Sequence, residues 1–143
     1  MPSINFFSEK IRFKLSNPKK TASWIRSVIK KEKCTLHSLN YVFCSDEYLK
    51  EINLQFLGHN TYTDIVTFNY NPSKGEIEGE IYISVDRVQD NSKTFKSDFQ
   101  AEIHRVIIHG VLHLIGFNDK SKREKALMRE KEDTYLSLLN LSK

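Results

Sequence analysis

The sequence predicts an α+β domain, in which a small β-sheet packs with about four to five α-helices. Runs of β-branched and aromatic residues alternate along the chain with segments of helical periodicity. The 143 residues are 39% hydrophobic and 28% charged, with only 5 Gly and 3 Pro, as in ordinary globular proteins. Because a chain of this length can bury one core, we expect one domain over residues 1–143.

The first strand is predicted within residues 6–15, where apolar residues alternate with polar ones, as one bent strand or an early strand pair. A basic helix is predicted from Asn17 to about Lys33, because Asn17 can cap it and Pro18 suits its first position. Residues 39–43 are rich in β-formers and predict the next strand.

The second helix is predicted to begin after Ser45 and to end near Leu57. Gly58 can take the positive φ of a C-terminal cap without a Cβ penalty. Two β-rich runs follow, residues 63–70 and 76–84, on either side of a turn cluster that contains Pro and Gly. This pattern predicts a β-hairpin.

Helical patterns dominate the rest of the chain. One begins at Asp86 and is interrupted by a break around residues 91–97. A long helix is predicted from residue 97 or 98 to 115, with Gly116 ending it. The segment Ser121–Glu124 has the spacing of a capping box, which predicts the start of a final helix.

Charge is unevenly distributed, although the formal net charge is only +4. Residues 1–33 carry nine Lys or Arg against two acids, whereas residues 34–80 carry two against seven. A basic segment of this kind favours a polyanionic partner, and nucleic acid is the commonest polyanion in a cytoplasm. A solvated helix face rich in lysine is the alternative interpretation.

The sequence shows no segment suited to a membrane or to export. The longest apolar stretch, residues 106–117, is interrupted by two histidines and falls short of the roughly 20 residues of a membrane span. The N-terminal residues lack the basic region and apolar core of a secretory signal. Cys34 and Cys44 are too few for a disulfide framework, and we interpret both as small buried hydrophobes. A cytoplasmic location is therefore expected.

The clearest chemical pattern lies in residues 109–119. His109 and His113 are four residues apart, so on a helix their imidazoles share one face and can converge on one metal ion. Gly116 can end that helix in a left-handed turn, which brings Asp119 back to the same face as a third ligand. Three protein ligands with an open position are typical of a catalytic zinc site.

The helix that carries the histidines is apolar nearly all round, which predicts that it lies in the core. Two buried histidines could simply be hydrogen-bonded there, but their spacing favours a site for one metal ion. Metallopeptidases with related spacing carry a glutamate directly after the first histidine as general base, where this chain has Gly110. Peptide hydrolysis is therefore the second hypothesis, and the pattern assigns no residue as general base.

The same segment resembles the signature of the YbeY endoribonucleases, H-G-x-L-H-L-x-G-[YF]-D-H, with matches at seven positions. Those positions are His109, Gly110, Leu112, His113, Leu114, Gly116 and Phe117. Residues 63–68, Thr-Asp-Ile-Val-Thr-Phe, are similar to the family's T-D-V-L-S-F strand. Residues 79–84, Gly-Glu-Ile-Tyr-Ile-Ser, are similar to its G-D-I-x-I-S strand. Spacing and order agree over about residues 45–135.

The resemblance implies a mixed α/β fold, with a small mixed β-sheet, and one zinc ion (Zn²⁺) held by three residues. It implies metal-dependent cleavage of single-stranded RNA in ribosomal RNA maturation, including the 3′ end of the small-subunit RNA. Ribosomal RNA and the small ribosomal subunit are then the expected partners. A third hypothesis is a ribosome assembly factor that binds RNA without cutting it and holds a purely structural zinc.

Three positions depart from the family pattern. The family's third metal ligand is a histidine where this chain has Asp119, preceded by Asn118 in place of an aspartate. A carboxylate oxygen is an acceptable zinc ligand, although it adds negative charge. The family's basic residue at the end of the second helix is replaced by Leu57. His59 is the candidate substitute for its phosphate contact, and a solvated loop histidine is the alternative.

Further polar residues have supporting roles in this prediction. The basic helix is predicted to contact RNA phosphates through three side chains on or beside it, Lys30, Lys31 and Lys33. Asp64 is a candidate hydrogen-bond partner for a ligating imidazole. His104 lies five residues before His109, roughly 140° away around the helix, and is predicted to be structural.

Overall fold

The computed structural model describes residues 2–139. Within them lie four strands and five helices, in the order β1 (Ser3–Glu9), α1 (Pro18–Lys31), β2 (Thr35–Cys44), α2 (Asp46–Leu57), β3 (Ile65–Asn69), β4 (Glu76–Ser84), α3 (Val85–Thr94), α4 (Phe99–Ile115) and α5 (Lys122–Ser137). The strands form one sheet in the order β1-β2-β4-β3. Strand β2 runs parallel to β1 and β4, whereas β3 is antiparallel to β4. The sheet is therefore mixed, and the predicted α+β class is confirmed.

The helices begin and end at the caps that the sequence supplies. The side chain of Asn17 accepts a hydrogen bond from the N–H of Lys20 at the start of α1. Gly58 ends α2 at φ 71°, a left-handed conformation that suits a residue without Cβ. The predicted capping box is also present, with Ser121 and Glu124 bonded reciprocally at the start of α5. Local capping chemistry therefore sets these boundaries as predicted.

Two segments differ from the prediction. Strand β1 ends at Glu9 because Lys10 adopts a φ of 60°, which turns the chain out of the sheet. Residues 11–15 therefore do not form a strand, and instead Phe13 packs on Phe43 with ring centroids 4.9 Å apart. Helix α3 also extends further into the predicted break, to Thr94, and the Ser92 hydroxyl is satisfied within it by donating to the Gln89 carbonyl.

Helix α2 packs on one face of the sheet, and the cores of the remaining helices lie on the other. Helix α2 packs Leu49 and Ile52 on one face, against Cys44 and Val66. Helices α1, α3, α4 and α5 share the larger core on the other face. Helix α4 lies within that core, as predicted, with three fully buried isoleucines, Ile103, Ile107 and Ile108. Within residues 2–139 no helix is both long enough and apolar enough to cross a membrane.

His104, which was predicted to be structural, and Trp24 both have their polar atoms satisfied inside the larger core. His104 is 3% exposed, with Nδ1 2.7 Å from the Gln100 carbonyl oxygen and Nε2 3.3 Å from the Thr21 hydroxyl. Because a carbonyl only accepts, Nδ1 carries the proton, and burial lowers the pKa of the ring. The indole N–H of Trp24 donates to the Tyr135 carbonyl at 2.8 Å. These contacts tie α1 to α4 and α5.

The prediction that both cysteines are buried is fully confirmed only for Cys44. Cys44 is fully buried, whereas Cys34 is half-buried. Burial raises the pKa of both thiols, most strongly that of Cys44, to about 12. Both side chains therefore remain neutral thiols at physiological pH.

Gly79 allows a close approach between β4 and β3. It lies in β4 between Leu39 of β2 and Asn69 of β3, and a Cβ there would lie 2.3 Å from the backbone oxygen of Phe68. We expect Gly79→Ala to lower the free energy of unfolding by about 1–3 kcal/mol, because the backbone of β3 must move. Urea denaturation measures this, with Glu78→Ala in the same strand as control. A loss of under about 0.5 kcal/mol would contradict the prediction.

Candidate metal centre

The C-terminal end of α4 brings the three predicted ligands together. His109 and His113 lie on successive turns, with ring centroids 4.6 Å apart. The helix ends at Gly116, which has a φ of 128°, and the N–H groups of Gly116 and Phe117 both donate to the Leu112 carbonyl. The chain therefore turns back along the helix. As a result, Oδ2 of Asp119 lies 3.4 Å from Nε2 of each histidine.

The spacing of these atoms suits a zinc ion. The ligand atoms of His109, His113 and Asp119 lie within 4.8 Å of one another. Two ligands of one tetrahedral zinc, with bonds of about 2.0–2.2 Å, are separated by about 3.3–3.6 Å, which matches both 3.4 Å distances. All three residues are half-buried, so one side of the group faces solvent. The donor set therefore fits a three-ligand site with an open position.

Glu132 of α5 orients the first histidine. Its Oε2 lies 2.6 Å from Nδ1 of His109. An ionised carboxylate only accepts, so Nδ1 donates, and the other ring nitrogen, Nε2, is left with its lone pair toward Asp119. Arg105 donates to Oε1 of Glu132 at 2.8 Å, and this carboxylate is 5% exposed. Such a carboxylate–histidine pair is the usual support of a metal-binding imidazole.

The electrostatics of the site favour a cation. Burial by itself would lower the pKa of His109, but the hydrogen bond to Glu132 and the charges of Glu132, Asp119 and Asp64 raise it overall. Burial raises the pKa of Asp64. A group of carboxylates thus surrounds one imidazole, and a divalent ion would offset their charge.

Gly110 faces the sheet instead of the solvent side of α4. A Cβ on this residue would lie 2.9 Å from two atoms of Ile81 and 3.0 Å from Cδ1 of Ile65. The position after the first histidine therefore has no room for a side chain. A glutamate general base of the metallopeptidase type has no place here.

The other predicted site residues lie outside this group. Asp64 shares a small pocket with His109, but the imidazole proton goes to Glu132, so the hydrogen-bond role expected of Asp64 was wrong. His59 is exposed in the loop after α2, where its backbone N–H donates to the Asn53 carbonyl at 3.2 Å. Leu57 is also 45% exposed. The structure does not bring either side chain to the three ligands.

The three lysines of the basic segment are all exposed. Lys30 and Lys31 occupy the last turn of α1, and Lys33 follows at a φ of 61°. Between them, Glu32 accepts a hydrogen bond from Lys131 at 2.9 Å, and Lys131 lies over the ring of Phe117 at 5.2 Å. The basic end of α1 therefore adjoins α5 and the loop that carries Asp119.

Sequence reasoning missed Glu132 and Arg105. Arg105 had a detectable signal, because it lies four residues before His109 and eight before His113, on the same helix face. Glu132 lies 23 residues from His109 on another helix, and nothing local marks it. Its role depends on how α5 packs on α4.

Comparison with known proteins places these features in context. The chain matches the family model described as Endoribonuclease YbeY over residues 3–140. A protein of Amoebophilus asiaticus named Endoribonuclease YbeY is 50% identical over 95% of this chain and 94% of its own length. One of Cytophaga hutchinsonii with the same name is 48% identical over 95% of both chains. A solution structure of a Thermotoga maritima protein has a TM-score of 0.68 and 27% identity, over 96% of this chain and 89% of that one.

Proposed function

Because this chain belongs to the YbeY endoribonuclease family, we propose that it is a zinc-dependent, single-strand-specific endoribonuclease. We further propose that it acts as one domain in the cytoplasm, in late ribosomal RNA processing, including maturation of the small-subunit RNA 3′ end, and in ribosome assembly. The observation that carries this proposal is the convergence of His109, His113 and Asp119 at the solvent side of a buried helix.

Each residue of the site has a distinct part in this proposal. His109, His113 and Asp119 hold the ion, and Glu132 keeps the proton of His109 on Nδ1 so that Nε2 is the ligand atom. A zinc ion held by these residues would supply Lewis-acid chemistry at the scissile phosphate. Lysine side chains at the end of α1 hold the RNA backbone electrostatically.

Two alternative functions would each require residues that the site does not have among residues 2–139. A metallopeptidase needs a general base after the first histidine, and the packing of Gly110 against Ile65 and Ile81 leaves it no room. A structural zinc is usually closed by four protein ligands, whereas three candidate ligands converge here within residues 2–139. Both observations favour RNA cleavage at an open metal site.

The proposal is tested on the purified protein by elemental analysis and by cleavage assays. We expect about one zinc per chain and cleavage of single-stranded RNA that stops on addition of a chelator and returns with zinc. A peptide library should stay intact under the same conditions. Full RNA binding without any cleavage product at any protein concentration would contradict the proposal and favour an assembly factor with a structural metal.

Asp119 allows a test of the third ligand. Because Asp119→His restores a nitrogen ligand at the same place, we expect it to retain zinc, whereas Asp119→Ala should bind zinc more weakly. Zinc content and competition with a chelator measure the difference, with Asn118→Ala as the control in the same loop. Equal zinc content in the wild type and Asp119→Ala would show that this carboxylate is not a ligand.

The lysines at the end of α1 allow a test of the RNA contact. Replacing Lys30, Lys31 and Lys33 by glutamine should make the plot of log RNA affinity against log salt concentration less steep. The slope should fall by about 0.7 for each contact with single-stranded RNA that is lost. Bound zinc should not change. Lys74→Gln, in the exposed turn between β3 and β4, is the control. An unchanged slope in the triple variant would show that this end of α1 is only a solvated surface.

A further inference from the structure

A small pocket opens on the side of His109 that faces Glu132. Its volume is about 240 Å³, and helices α3, α4 and α5 all contribute to its wall. Sites for drug-sized ligands begin near 300 Å³, so this pocket suits a smaller group. His109 and Glu132 form part of the wall, which places whatever enters directly beside the candidate metal ligands. We call it the Phe95 pocket, after the aromatic residue at its rim.

Phe95 presents an aromatic ring to solvent at this pocket. It caps the C-terminus of α3 through its backbone N–H, and its side chain is 67% exposed. Its ring has no aromatic or cationic partner among residues 2–139. Single exposed apolar residues are ordinary, but this one lines the pocket of a proposed RNA-cleaving site. Exposed aromatic rings are the usual stacking surface for unpaired bases.

The polar groups around the ring complement the remaining parts of a nucleotide. Arg105 is engaged by Glu132 and Asp133, whereas Arg129 is exposed and has no carboxylate partner within residues 2–139. Asp64 and Glu102 line the pocket as carboxylate acceptors. The side-chain amide of Asn91 adds a donor and an acceptor. The pocket therefore offers a cation at its rim and hydrogen-bond acceptors within.

We propose that the Phe95 pocket holds one unpaired base of the RNA substrate, stacked on Phe95, while Arg129 contacts a neighbouring phosphate. Because the acceptors are carboxylates, a base with an exocyclic amino group, which offers two N–H donors, is favoured over uracil, whose only base-edge donor is N3–H. A paired base could not enter, so the pocket selects single strands. This inference rests on the proposed function and adds to it a base-binding subsite beside the metal.

The test uses short RNA homopolymers, which remove any dependence on register. Binding of oligocytidine, oligouridine and an abasic ribose-phosphate oligomer of equal length is measured by fluorescence anisotropy in the presence of a chelator. We expect oligocytidine to bind more tightly than oligouridine. Phe95→Ala should raise the Kd for oligocytidine by about tenfold and leave the abasic oligomer unaffected. Phe56→Ala is the matched control and should change nothing, because Phe56 is also largely exposed, at 59%, but lies on α2 across the sheet.

A second variant reports on stacking directly. Phe95→Trp should retain affinity and add an indole whose fluorescence is quenched by oligocytidine but not by the abasic oligomer. The native Trp24 is buried and should not respond. Equal Kd values for wild type and Phe95→Ala, or an equal loss for the base-bearing and abasic oligomers, would overturn the inference.

A cleavage assay distinguishes failure of this inference from failure of the proposed function. If zinc-loaded wild type cleaves single-stranded RNA but Phe95→Ala binds oligocytidine unchanged, only the subsite is wrong. If the wild type neither binds nor cleaves any of the oligomers, the proposed function and the subsite are both wrong. Equal affinity for oligocytidine and oligouridine in the wild type would overturn the assigned preference for amino-bearing bases.

Discussion

We expect His113→Ala to reduce the zinc content of the purified protein to background and to abolish cleavage of single-stranded RNA. His113 supplies one of three converging ligand atoms, and the remaining pair, His109 and Asp119, cannot close a site around the ion. The loss of zinc affinity should exceed the loss of roughly 10–100-fold that follows when a residue that only supports a ligand is removed. Elemental analysis and a zinc titration with a competing chelator measure it.

A histidine away from α4 provides the control for this variant. His37 lies on β2, where its ring pairs with Glu76, and His37→Ala should keep its zinc. Both variants should fold, because each removes a partly exposed side chain. A full equivalent of zinc in folded His113→Ala would place the metal elsewhere.

Replacing Glu132 by glutamine should weaken zinc binding by about 10–100-fold while the three ligands stay in place. Glutamine keeps the volume of the side chain but loses the charge that holds the proton of His109 on Nδ1. Glu132→Ala should in addition lower the free energy of unfolding in the zinc-free protein, because the charge of Arg105 would lose its buried partner. A zinc titration and thermal unfolding in chelator separate the two effects.

Asp133 is the matched control for Glu132. Its carboxylate also binds Arg105, at 2.6 Å, but it is exposed and does not touch His109. Asp133→Asn should therefore leave zinc affinity nearly unchanged. If Asp133→Asn and Glu132→Gln weaken zinc binding equally, the network acts through Arg105 and not through the imidazole.

The elements of the fold were predictable where local chemistry decides them. The caps at Asn17, Ser45, Gly58 and Ser121 act on their own turns, so sequence spacing was sufficient to place four helix ends. The conformation of residues 11–15 was not predictable, because alternation of apolar and polar residues predicts a strand wherever it occurs. The turn at Lys10 directs this segment to pack Phe13 on Phe43 instead.

The candidate site was likewise predictable only where it depends on neighbouring residues of one segment. The approach of Asp119 to both histidines follows from helix periodicity and from the turn at Gly116, which act over eleven residues of one continuous segment. Glu132 and the Phe95 pocket were not predictable, since each depends on how separate helices pack. A sequence spacing cannot encode the distance between α4 and α5.

The contact between Glu132 and His109 also has a consequence for how the protein is made. Both histidines and Asp119 leave the ribosome before α5 does, so a growing chain carries all three ligands before Glu132 is available to fix the imidazole. Zinc captured at that stage would be held by an imidazole free to rotate and to exchange its proton between the two nitrogens. With the proposed zinc bound, we therefore expect tight retention only once α5 has been synthesised and has docked Glu132 against His109.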